Sequence, residues 1–188
     1  MNNDLTRLPD DLTPPEDDGL ADHLLGMKIP SMTLPSNRND LFDVSNVQSK
    51  FVILYFFPMI GDPKKSLPLE WNKIAGARGC TPQNISISLH MMDLEKYDAS
   101  IIGVSTQPII ELIQLSRLRG LSQTLLSDKE MKFQKNLNIP TFQLEDKKFY
   151  KRITLILGQS EIIKVFYPVF PPDKHIFDIL RWLNTVVS

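Results

Sequence analysis

The run "FVILYFF", Phe51–Phe57, limits more than any other feature what this chain can become. Every residue in it is apolar or aromatic, so a strand made from it has no face left for solvent. Such a strand must be covered on both sides, which is the signature of a central strand in a largely parallel sheet. The run ends at Pro58, well short of the roughly 20 apolar residues that cross a bilayer. No other stretch is longer, and no membrane partner is expected.

The rest of the chain supplies the covering layers. A helix is predicted from about Thr81 to Tyr97, followed by a second buried strand, "SIIGVS", Ser100–Ser105. Pro108 opens a further helix that Gly120 stops. "TLLSD" reads as a short strand leading into a helix from Asp128 to about Leu137. "KRITLIL" (Lys151–Leu157) and "EIIKVFY" (Glu161–Tyr167), separated by "GQS", form an antiparallel hairpin. A closing amphipathic helix presents Ile176, Ile179, Leu180 and Leu183 inward. The expected class is α/β, a central mixed sheet with helices on both faces, in the order of a thioredoxin-like fold.

Residues 1–25 are rich in Asp, Pro and Asn and read as an arm, extended or disordered in part; residues 26–188 form the domain. One connection is out of scale. Residues 59–79 lack clear periodicity, and loops beyond roughly 12–15 residues are usually functional or disordered. Trp71 within it is either an anchor or a ligand contact.

A net charge of -1 and a charged fraction of 23% give no stripe for a polyanion, so no nucleic acid is expected. The acidic start lacks the basic and apolar regions of a secretory signal, and a cytoplasmic location is expected. With a single cysteine no internal disulfide or multi-cysteine metal cage can form. His23 and His175 lack neighbours at ligand spacing and are expected at the surface or an interface; no metal and no cofactor are expected. His90 stands too far along its helix from Cys80 to act as a base. The sequon at Asn84 reads as chance. "IGVSTQ" is a loose match to a nucleophile elbow, spoiled by Gln107 where a glycine belongs.

The cysteine, Cys80, sits in "ARGCTPQ" beside a predicted helix start, because Thr81 and Pro82 suit a first turn. Free amides and the helix dipole at such a terminus favour a thiolate. Sites in α/β proteins also gather where strands end.

The ordered series "YFFP", "GCTPQ", "IIGVST", "LLSDKEMKFQKNLNIPTF" and "KRITLIL" resembles the peroxiredoxins, in particular their Q-type or bacterioferritin-comigratory branch. The resemblance spans roughly Gly26 to Leu183. It implies that Cys80 is the peroxidatic nucleophile, and that Arg152 stabilises both thiolate and peroxide. Pro58 falls on the proline that shapes the active loop, and Thr81 is a supporting residue or, more simply, a helix cap. The family's loop threonine falls on Ala77, and the resolving cysteine of many Q-type members falls on Ile85. The implied chemistry is therefore that of an atypical one-cysteine thiol peroxidase, of low activity, regenerated by an external thiol such as glutathione or a thioredoxin-like protein. Its substrate would be a small peroxide, and its state a monomer or homodimer. The alternative is an impaired, peroxiredoxin-like interaction or redox-sensing module.

Overall fold

The computed structural model describes residues 5–9 and 12–187. Its central sheet has five strands among the described residues. Strand β3 (Phe51–Phe56) lies at the centre, parallel to β4 (Ala99–Ser105), which is parallel to β5 (Thr124–Ser127). On its other side β3 runs antiparallel to β8 (Ile153–Gly158), with Phe56 opposite Ile153, and β8 pairs antiparallel with β9 (Glu161–Phe166).

The double-sided burial expected of the apolar run follows from the pleat. Val52, Leu54 and Phe56 join one core with Ile102, Leu126, Phe133 and Leu155. Phe51, Ile53, Tyr55 and Phe57 join the other with Ile101, Leu112, Ile179 and Leu183. Successive side chains point to opposite faces, so a strand with a core on each side must be apolar throughout. The helices are α1 (Cys80–Leu89), α2 (Met91–Glu95), α3 (Ile109–Arg119), α4 (Lys132–Leu137) and α5 (His175–Val187).

The structure departs from the sequence reading in four places. The helix expected from Thr81 to Tyr97 starts at Cys80 and breaks at His90, whose φ of -112° and ψ of 18° leave the helical region. The His90 ring bonds the Ser86 carbonyl at 2.8 Å, and Ser88 is drawn into bonds with Ser122; both compete with helix continuation. Helix α4 starts at Lys132 rather than Asp128, because the Asp128 carboxylate stands outside the helix and accepts from the N–H groups of Lys132 and Phe133. Two small hairpins were not foreseen: β1 (Thr33–Pro35) with β2 (Leu41–Asp43), and β6 (Thr141–Leu144) with β7 (Lys147–Tyr150). Strands of three or four residues carry too little alternation to stand out. Finally, His175 is a core residue, 3% exposed, with Nε2 2.9 Å from the Thr154 hydroxyl, and not a surface residue.

Trp71, 1% exposed, anchors the long connection. It packs on Phe142 and Phe149 of the β6–β7 hairpin and lies with Ala77 in a third apolar cluster. The expected arm falls partly on residues 1–4, 10 and 11, outside the described residues. Where it is described, residues 12–18 form no helix or strand, Asp18 bonds Lys151 and the Tyr167 hydroxyl, and Leu24 is fully buried.

Candidate active site

Cys80 is the first residue of α1, behind Gly79 in the left-handed region with φ 95°. A Cβ at Gly79 would lie 2.5 Å from both Leu8 Cδ1 and Pro172 Cγ, so glycine is required there for space as well as for backbone freedom. Gly79 is also the residue that precedes the helix. It contributes no side-chain cap, which corrects the reading of Thr81 as the cap.

Among the described residues three polar groups surround the sulfur, two of them from distant parts of the chain. Arg152 Nη2 is 3.3 Å from Cys80 Sγ, the Met59 N–H donates to it at 3.3 Å, and the thiol reaches the Ala77 carbonyl at 3.6 Å. The two distant positions follow from the strands. Met59 comes just past the end of β3, and Arg152 just before β8, its antiparallel neighbour. The two strand ends therefore open at the same edge of the sheet, where α1 begins.

Arg152 is 3% exposed, and its Nη2 also donates to the carbonyls of Arg78 at 2.8 Å and Gly76 at 3.2 Å. Its Nη1 donates to Gln83 Oε1. Among the described residues no carboxylate pairs with it. A buried cation held only by neutral acceptors is costly, and an anion beside it relieves that cost. At 3.3 Å and an effective dielectric near 20 a thiolate would gain about 5 kcal/mol of Coulomb energy before desolvation. Gln83 is the last residue of "GCTPQ". Its place three residues after Cys80, hence on the same face of α1, was the available signal.

The remaining expected residues fall close by with different duties. The Pro58 carbonyl accepts from Ser105 Oγ at 3.0 Å, which secures the turn out of β3. Thr81, 4% exposed, accepts from the Gly61 N–H at 3.3 Å and so ties the start of the long connection to α1. Ala77 is buried with Trp71 and offers the site its carbonyl alone. Asn84 is fully buried, and its side chain bonds the Cys80 carbonyl and the Tyr55 hydroxyl, so the sequon is closed to a glycan.

The sulfur is buried: Cys80 is 2% exposed. Arg152 lines a cavity of about 250 Å³ with Pro15, Glu16, Phe142 and Tyr167, and Met59 lines a separate one of about 390 Å³. Pro15 and Glu16 of the arm thus form part of the wall of the Arg152 cavity.

No family model matches the chain. It is similar to peroxiredoxin Bcp of Escherichia coli, 22% identical over 158 residues that cover 82% of this chain and 92% of that protein. It is similar also to chloroplastic peroxiredoxin Q of Populus jackii, 25% identical over 162 residues that cover 86% and 68%. In sequence the chain is thus similar to Bcp and Q-type peroxiredoxins. Among solved structures, peroxidoxin BcpB of Mycobacterium tuberculosis superposes with a TM-score of 0.71 at 21% identity, over 87% of this chain and 98% of that one. A mutant of Xylella fastidiosa PrxQ gives 0.70 at 18%, over 87% and 97%. These peroxiredoxin structures show the fold, which is thioredoxin-like.

Proposed function

We propose that this chain is a thiol peroxidase acting through Cys80. The observation that carries the reading is the sulfur's position between the Arg152 guanidinium and the Met59 N–H, at 3.3 Å from each. The Cys80 thiolate attacks the terminal oxygen of hydrogen peroxide or an organic hydroperoxide. The S–O bond forms as the O–O bond breaks, and the electron pair leaves on the departing oxygen, which takes a proton to become water or an alcohol. Sulfur is oxidised to a sulfenic acid. Charge grows on the departing oxygen, where a fixed cation stabilises it most. Arg152 Nε and Gln83 Nε2 are buried without a partner among the described residues, which leaves N–H donors unspent at the site.

The chain has a single cysteine, so regeneration falls to an external thiol. That thiol attacks the sulfenic sulfur, a mixed disulfide forms as water leaves, and a second thiol releases Cys80. Glutathione or a thioredoxin-like protein in the cytoplasm would serve. The test is the loss of hydrogen peroxide and of an organic hydroperoxide with an added thiol. The native protein is expected to consume both and Cys80→Ser neither; equal rates would overturn the reading.

The 2% exposure of Cys80 favours a second reading, a redox-sensing or interaction module whose sulfur is oxidised only when the site opens. It gains if a sulfenic-acid trap leaves Cys80 unlabelled at modest peroxide while a specific protein partner is captured.

A further inference from the structure

We propose that Gln107 is a positioning residue for the reactive sulfur, resting on the reading of Cys80 as the nucleophile. Gln107 is 4% exposed and lies just past the end of β4, the parallel neighbour of β3. Its side-chain amide grips both polar groups of one backbone residue. Oε1 accepts from the Ile60 N–H at 2.8 Å, and Nε2 donates to the Ile60 carbonyl at 3.2 Å. The orientation of the amide is fixed, because Nε2 also faces the Glu111 carboxylate at 3.4 Å, which can only accept.

Ile60 directly follows Met59, whose N–H donates to Cys80 Sγ. A peptide N–H has no freedom of its own: its direction is set by the dihedrals on either side. The Gln107 clamp fixes the residue after Met59, the bond from Ser105 Oγ to the Pro58 carbonyl fixes the residue before, and the Gly61 N–H is tied to Thr81. Gln107 is itself braced, since its carbonyl accepts from Ser127 Oγ at 2.6 Å and its N–H donates to Ser105 Oγ at 3.3 Å. The sulfur thus receives a backbone donor aimed from β4 and β5, through groups that never touch it. Ala77 provides no hydroxyl, so this aimed N–H is the second donor beside Arg152.

The test uses the whole chain and two uncharged variants. Gln107→Met keeps the volume and removes both bonds; Gln107→Asn keeps the amide but falls one methylene short of Ile60. The readout is the pH profile of Cys80 alkylation by iodoacetamide, followed by the rate of oxidation by hydrogen peroxide. In both variants the alkylation midpoint is expected to rise by about half a pH unit or more, with peroxide oxidation about 10-fold slower. Ile162→Val, on the opposite core, is expected to leave the midpoint in place, separating positioning from general loss of stability. A folded Gln107→Met with the native midpoint overturns the proposal. If that variant does not fold, Gln107→Asn decides by the same criterion. If the native protein ignores peroxide yet the midpoint moves in the variants, the peroxidase reading fails and the positioning role stands.

Discussion

Arg152 and Cys80 meet at 3.3 Å although 72 positions separate them in the chain, and the guanidinium has no carboxylate partner among the described residues. The arginine is therefore more than a local charge. Its planar fork links Gly76, Arg78 and Gln83 to the sulfur, and so holds the end of the long connection against α1.

That geometry separates arginine from lysine. Arg152→Lys keeps the charge but cannot serve four acceptors at once. Oxidation of Cys80 by peroxide is expected to slow on the order of 100-fold, about 2.7 kcal/mol of transition-state stabilisation. Stopped-flow measurement of the two proteins checks this, and a rate within threefold of native would contradict it.

Gly79→Ala tests the turn that presents the thiol. A left-handed φ of 95° disfavours alanine, and the added methyl meets Leu8 and Pro172. A loss of about 1–3 kcal/mol is expected, seen as a lower urea midpoint with an unchanged slope.

Trp71→Ala should loosen residues 59–79 before it unfolds the sheet. Deleting a buried tryptophan costs about 3–5 kcal/mol. Here its partners are the β6–β7 hairpin and its own loop rather than the two sheet cores. Limited proteolysis is expected to cut the variant first within 59–79; first cleavage elsewhere would contradict the assignment.

His175 gives the fold a pH dependence of definite sign. Burial, above all, lowers its pKa from 6.5 to about 4; Arg152 also lowers it, and Asp178 opposes both. Above pH 6.5 both folded and unfolded chains carry the neutral ring. As pH falls from 6.5 towards 4 the unfolded chain takes up a proton that the folded chain refuses, and stability is lost by up to about 3 kcal/mol. Urea titrations across this range check it. His175→Gln, whose amide extends to about the position of Nε2 and carries no titrating group, is expected to show a shallower decline, and an equal decline would refute the attribution.

The large elements were legible because their signals are local and repeated. "FVILYFF" announced a strand with two covered faces, and the spacing of Ile176, Ile179 and Leu183 announced the last helix. The pairing of Cys80 with Arg152 came from resemblance, since nothing in either segment states its distance to the other. The break at His90 and the clamp by Gln107 were not legible. Each is a side chain bonding to backbone, a choice made by neighbours that the linear pattern leaves unnamed. The burial of Cys80 escaped for a related reason. Leu8 and Pro172 crowd Gly79, the residue before the thiol, and join it only in three dimensions.

The antiparallel alignment that sets Phe56 opposite Ile153 has a chemical corollary. Sliding one strand past the other by a single residue would carry Arg152 about 3.4 Å along and turn its side chain to the reverse surface of the sheet. The intervening loops can differ in length, while that alignment cannot move without parting sulfur from cation. Reactivity at one atom is thus a gauge of whether two neighbouring strands are in step.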